Sequence, residues 1–282
     1  MILRFGRYGV IFGVLSLALG SWGIGRGQAA ASAVVVRDSA LEGAQAMVGR
    51  ALLLRGCYAG GDLTYDAMGR VKGEPKVVDW TLAGANIEKV TRRNAAELEL
   101  VGVRVAMRYN PEQHIFERHL LKDEKLKILL AVNPDGHGLQ GALAMMFAVG
   151  IDPALQRAMP AYWRHYFSPK MAWPDDELTA QTIVSGNAAG LEYPVPEKKP
   201  EPEFTNQARQ DHVKGLVQVK LVVGADGMAR RIAIRQPLGY GLEARVVDSL
   251  GRYRFRPGMK DGKPVAVEMV VNQMFDVSPG AR

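Results

Sequence analysis

Apolar and polar positions along the chain fall into two periods, and the clearest stretch lies near its end. Val217, Val219, Leu221 and Val223 alternate with Gln218 and Lys220, the period of a strand with one packed face. Gly224-Ala-Asp-Gly227 follows, and Asp-Gly is a hairpin signal. Ile232 and Ile234 therefore belong to a returning strand. Between Tyr240 and Tyr253 the period changes. Leu242, Val246, Leu250 and Tyr253 recur at spacings of four, four and three, one face of a helix. Pro257-Gly258 stops it. Val265, Val267, Met269 and Val271 form a last strand. The pattern predicts a β-β-α-β unit over 203–277, with the helix on the apolar side of a small sheet.

The earlier pattern is also mostly β. Ser39–Val48 predicts a short helix, and Ala51–Cys57 is an apolar run. Asp66-Ala-Met-Gly69 reads as a turn. Strands are predicted over Val77–Glu88, Glu97–Tyr109, Gln113–Leu121 and Lys125–Val132, with Asn110-Pro111 as a turn. Asn133-Pro-Asp-Gly136 ends the sheet. Leu139–Val149, rich in Ala and Met, reads as a buried helix. Asp152-Pro153 looks like an N-cap followed by Pro at the first helical position, opening a helix to Phe167. Strands first and helices last give an α+β class for 37–167, an antiparallel β-rich domain ending in helices. Residues 168–202 hold Pro169, Pro174, Pro194, Pro196, Pro200 and Pro202. They read as a linker, extended polyproline II at its end, with a short strand within Ile183–Leu191.

Composition narrows the class. A chain of 282 residues has room for about two domains. The net charge of +7 owes three charges to Arg4, Arg7 and Arg26. The remaining excess is mild, with no basic stripe interleaved with aromatics, so no nucleic-acid partner is expected. The single cysteine, Cys57, excludes an intramolecular disulfide. Arg55 stands where a lipobox needs a small residue, and Cys57 lies far beyond the apolar run of the leader.

That leader is an export signal. Arg4 and Arg7 precede an uncharged run of eighteen residues, Tyr8–Gly25, and Ala29-Ala-Ala-Ser-Ala33 offers a small-residue cleavage site. A cleaved signal peptide over 1–33 is the favoured reading, and a retained inner-membrane anchor is the alternative. Either places the rest of the chain in the periplasm.

The order of pieces in 203–277 resembles the C-terminal domain of the TonB family. The resemblance rests on Pro202-Glu203-Phe204 with Ala208-Arg209, the strand–turn–strand from Gly215, Phe255-Arg256-Pro257 after the helix, and Asp261-Gly262-Lys263-Pro264-Val265. It implies that the last strand takes up an extended peptide of an outer-membrane TonB-dependent receptor, contributing to energy-coupled transport. It also implies coupling to inner-membrane proton-motive motor proteins. The residues so implicated are Val265, Val267, Met269, Val271 and Gln273. Physics supports the placement independently. A small sheet has open edges, and an edge strand's free N–H and C=O groups accept another strand. The same edges would allow a strand-paired homodimer. Three features depart from the family. Tyr8–Gly25 lacks the histidine used for motor coupling, the Pro-rich part is short, and Tyr253 stands where tryptophan is common. A soluble periplasmic peptide-binding or scaffolding module without a motor is therefore the alternative function.

Arg252, Arg254 and Arg256 make a basic comb beside Phe255, a candidate contact for an acidic segment, with a solvated edge as the ordinary reading. His114 and His119, five apart on a strand, point to opposite faces, so no shared metal is expected. Asp175-Asp176-Glu177 could serve acid–base chemistry but reads better as a solvated helix start. Trp163, His165, Tyr166 and Phe167 read as packing residues, with a ligand pocket in a first domain that is an enzyme or carrier as the rival. The expectation is no catalysis and no cofactor, since no G-x-S-x-G or H-E-x-x-H occurs.

Overall fold

In the computed structural model, which describes residues 38–185 and 188–276, the first half is a sheet with its first two helices packed on one face. The leader reading, 1–33, lies outside the described residues. The elements in order are α1 (Ser39–Gln45), β1 (Leu52–Leu54), β2 (Asp62–Tyr65), β3 (Gly84–Asn94), β4 (Glu97–Asn110), β5 (Ile115–Ala131), α2 (Leu139–Met146) and β6 (Phe147–Val149). The six strands run in the order β2-β5-β4-β3-β1-β6. All neighbours are antiparallel except β2 and β5.

Four local expectations change. The strand expected from Val77 begins only at Gly84, because Trp80–Leu82 forms a 3-10 turn capped by Asp79, whose carboxylate accepts the Thr81 N–H at 3.0 Å. The two strands expected over Gln113–Val132 are one long strand with a register shift against β4. The helix expected to reach Val149 stops at Met146, and Phe147–Val149 pairs with β1. The helix opened by Asp152 breaks into α3 (Pro153–Ala158) and α4 (Ala161–Phe167). Met159 precedes Pro160 and is held extended, as residues before proline are.

The second half contains α5 (Asn206–Gln210), β10 (Gly215–Val223), β11 (Ala229–Gln236), α6 (Leu242–Gly251), β12 (Arg254–Arg256), β13 (Gly258–Lys260) and β14 (Lys263–Phe275). The linker is not a free polyproline segment. It forms β7 (Ile183–Ser185), β8 (Leu191–Glu192) and β9 (Val195–Lys198), all paired with this half. The main sheet runs β11-β10-β14-β13-β8, with β7 beside β14; β9 and β12 pair separately. Leu242, Val246, Leu250 and Tyr253 are all buried, as their spacing predicts.

Two cores result. Leu52, Leu54, Leu98, Leu100, Ile128 and Leu130 pack under α1 and α2. The other core is shared by both halves, because Trp80, Phe116 and Trp163 join Val219, Leu221, Val246 and Leu250 in one cluster. The backbone crosses the seam as well. Tyr109 N–H donates to the Leu238 carbonyl and Tyr240 N–H to the Met107 carbonyl, each at 3.0 Å. Gly239 makes this approach, where a Cβ would collide with Met107. The boundary expected between 167 and 203 thus runs through packed side chains.

Candidate functional site

β14 is positioned from both ends. Asp261 and Gly262, both at positive φ, make a two-residue turn that folds β14 back on β13, pairing Lys260 with Lys263. One edge of β14 is then covered by β10 along nine residues, from Val267 opposite Val223 to Phe275 opposite Gly215. The other edge is divided. β13 pairs with Lys263–Val265, and β7 runs parallel beside Ala266–Glu268. Among the described residues, Met269–Phe275 has no backbone partner on that side.

Of the five residues expected at the site, Val265 and Val267 therefore lie where this molecule's own backbone holds the outer edge. Met269, Val271 and Gln273 lie where it is open. Their side chains alternate as a half-buried strand should. Met269 and Val271 pack against the shared core, while Val270 and Met274 project outward, 38% and 63% exposed. The open stretch thus offers main-chain groups together with two outward apolar side chains, with exposed Asn272 between them. Gln273 covers part of it, donating through Nε2 to the Met274 carbonyl at 3.1 Å.

The basic comb is only partly assembled. Arg254 and Arg256 project from β12 on the exposed side, with Phe255 buried between them, but their backbone edge is taken by β9. Arg252 sits at the end of α6 in a helical turn and does not align with them. It lines a cavity of about 360 Å³ with Glu203, Arg245 and Asp248, where the charges balance. The carboxylates Asp176 and Glu177 are ion-paired, to Arg231 at 2.7 Å and to Arg230, and are not poised as acid and base. His114 bonds to Tyr109 through Nδ1 and His119 lies against the Tyr240 ring. Among the described residues no cluster of His, Cys, Asp or Glu could hold a metal ion.

A buried polar seam went unread in the sequence. Asp79 accepts from Trp163 Nε1 at 2.7 Å, Tyr162 Oη at 3.2 Å and Thr81 Oγ1 at 2.7 Å. Across the seam Glu243, fully buried at the start of α6, accepts the N–H groups of Leu238 and Gly239 through Oε1. Its Oε2 has no partner. Burial and then the Asp79 carboxylate push Glu243 up to about 8, and burial raises Asp79 as well. Thr81 Oγ1 also accepts the Gly241 N–H at 2.8 Å, tying the capped turn to α6. The one readable signal was Asp79 before Trp-Thr, a cap pattern inside an apparent strand.

Residues 200–277 match the family model described as Gram-negative bacterial TonB protein C-terminal. A solved structure, the solution NMR structure of the Pseudomonas aeruginosa TonB C-terminal domain, is 22% identical. It matches 35% of this chain and 96% of its own, with a TM-score of 0.26. No curated protein matches the chain.

Proposed function

We propose, starting from the fact that residues 200–277 are a TonB C-terminal domain, that this protein binds an extended peptide of an outer-membrane receptor. The peptide adds as a strand along the open edge of β14. The observation that carries this is the outer edge of Met269–Phe275, seven residues that pair with no other strand on that side among the described residues. Backbone hydrogen bonds would supply affinity and register, and Val270 and Met274 would favour apolar residues at the two peptide positions beside them, with a polar one beside Asn272.

One observation favours the reading without motor coupling. The segment 168–202 is folded onto the second half through β7, β8 and β9, and Leu178 within it is buried. The second half is also locked to the first by a shared core. In sequence, twelve residues lie between Gly25 and Asp38, a stretch whose contour length is at most about 43 Å. A retained anchor would hold the binding edge close to its own membrane, and a cleaved leader would release a periplasmic capture or scaffolding module.

The test uses adjacent proline substitutions. Successive residues of an edge strand direct their N–H groups alternately inward and outward. Of Met269→Pro and Val270→Pro, one removes a donor from the open edge and the other breaks the ladder to β10. Titration with a synthetic receptor TonB-box peptide is expected to lose at least tenfold in affinity in the first case, with the fold intact. The second case shows chiefly as lost stability. Unchanged affinity in both folded variants would reject the site.

A further inference from the structure

β7 is three residues long, yet it occupies the edge of β14 immediately beside the open stretch. Ile183, Val184 and Ser185 pair in parallel with Ala266, Val267 and Glu268. Ile183 packs on a small apolar cluster of Leu178, Val222 and Ala266, separate from both main cores. Just upstream, Asp176 and Glu177 are tied to Arg231 and Arg230 of β11. The run from Asp176 to Ser185 is therefore a strap across the outer face of the second sheet. Its attachments are a short ladder, one fully buried leucine, a bidentate pair between Asp176 and Arg231, and a contact from Glu177, 73% exposed, to Arg230. The exposed Glu177 contact contributes little, so the ladder, Leu178 and the Asp176 pair carry the attachment. Such attachments hold a tethered segment, whose local concentration is in the millimolar range, far better than a free one.

Resting on the strand-addition reading above, we propose that β7 is an internal stand-in for the partner strand, and that an incoming strand captured at Met269–Phe275 extends along the edge by displacing it. In the unloaded protein β7 covers Ala266–Glu268 and keeps three further residues of edge away from unintended partners. β7 also displays the chemistry of the partner it imitates. That partner is an extended segment with a β-branched apolar residue able to reach the Leu178–Val222–Ala266 cluster. Release of the strap would free Arg230 and Arg231 on the outer face, so an acidic residue preceding that apolar one would be favoured.

The experiment uses the full chain and the octapeptide Leu-Thr-Ala-Gln-Thr-Ile-Val-Ser, the sequence of residues 178–185. Against the unaltered protein the octapeptide competes with its tethered copy and binds weakly. Leu178→Asp should detach the strap and raise octapeptide affinity at least tenfold, with slowed amide exchange at Ala266–Glu268 on binding. Arg231→Asn, a milder change at a positive-φ position that Asn tolerates, should give a smaller rise. A Ser185→Cys/Glu268→Cys pair joins residues already opposite each other. Oxidised, it should abolish binding, and reduction should restore it. Cys57, half-buried with its thiol pushed up to about 12 by burial, stays out of the exchange. Unchanged octapeptide affinity in a variant whose exchange shows the strap detached would overturn the proposal, as would binding to the oxidised pair. A receptor peptide that binds alike to all forms would sink the stand-in and leave strand addition standing. Octapeptide binding with no receptor peptide bound would do the reverse.

Discussion

Trp163→Ala is expected to destabilise both halves of the protein together, by about 5 kcal/mol. The indole is fully buried and meets Trp80 edge-on at 5.3 Å, Phe116 at 6.1 Å and Tyr166 at 5.6 Å, and stacks on Phe167 at 6.0 Å. Truncating a core tryptophan costs about 3–5 kcal/mol. Removing Nε1 also takes a 2.7 Å donor from half-buried Asp79, and a lost hydrogen bond to a charged group costs about 1.5–3 kcal/mol. The distinguishing part is the reach of the effect. Trp163 belongs to the same cluster as Val217, Val219 and Leu221 of β10. Amide exchange at those strand residues, more than fifty positions away, should accelerate in step with exchange in β4. Trp163→Phe keeps most of the ring and should cost less than half as much. If β10 exchange stays unchanged in Trp163→Ala while β4 opens, the halves fold independently and the shared core does not couple them.

What the sequence made legible was local. The alternation from Val217 and the helix face Leu242, Val246, Leu250 and Tyr253 place every one of those side chains inside. Period and turn chemistry act over a few residues and need no distant partner. The misses have distant causes. Asp79–Leu82 satisfies the strand period, but a side-chain cap on Thr81 tips it into a 3-10 turn. Phe147–Val149 leaves its helix because β1, almost a hundred residues earlier, offers a ladder. The prolines at 194 and 196 suggested an isolated extended segment. Pro196 instead sits in a two-stranded ribbon opposite Phe255, where one face of the strand needs no donor.

The candidate site divides along the same line. The identity of β14 and its apolar alternation were readable from Val265 to Val271. How much of its edge stays open was not. That depends on β7, about eighty residues upstream, whose three residues carry no mark of whom they pair with. Spacing groups Arg252 with Arg254 and Arg256, but the end of α6 keeps it helical. Only a knowledge of where the helix stops separates them.

The stability of the protein should fall as pH rises from about 6.5 to about 8, and Glu243→Gln should remove that fall. Glu243 is raised from an ordinary carboxylate value to about 8 by burial and by Asp79. The folded chain therefore holds a proton that the unfolded chain releases near pH 4.5. Stability from this group is fully present below that value and is lost as pH climbs through 8, with a slope near 1.4 kcal/mol per pH unit for one proton. The upper part of that window isolates it. His165 is lowered by burial and by Arg164, so its opposing gain runs through the unfolded-state value of 6.5 and is nearly complete about one unit above it. Asp38, Asp152, Asp176 and Asp226 are lowered by arginine partners and act only below pH 4. Cys57 and the buried tyrosines are raised and count only above about pH 9. Within the pair, the proton belongs on Glu243. Asp79 receives four donors, from Thr81 N–H, Thr81 Oγ1, Trp163 and Tyr162, which suit an ionised carboxylate. Glu243 receives two on one oxygen and none on the other. Urea unfolding at half-unit steps decides between them. A slope that survives Glu243→Gln but vanishes in Asp79→Asn would put the proton on the other side of the seam.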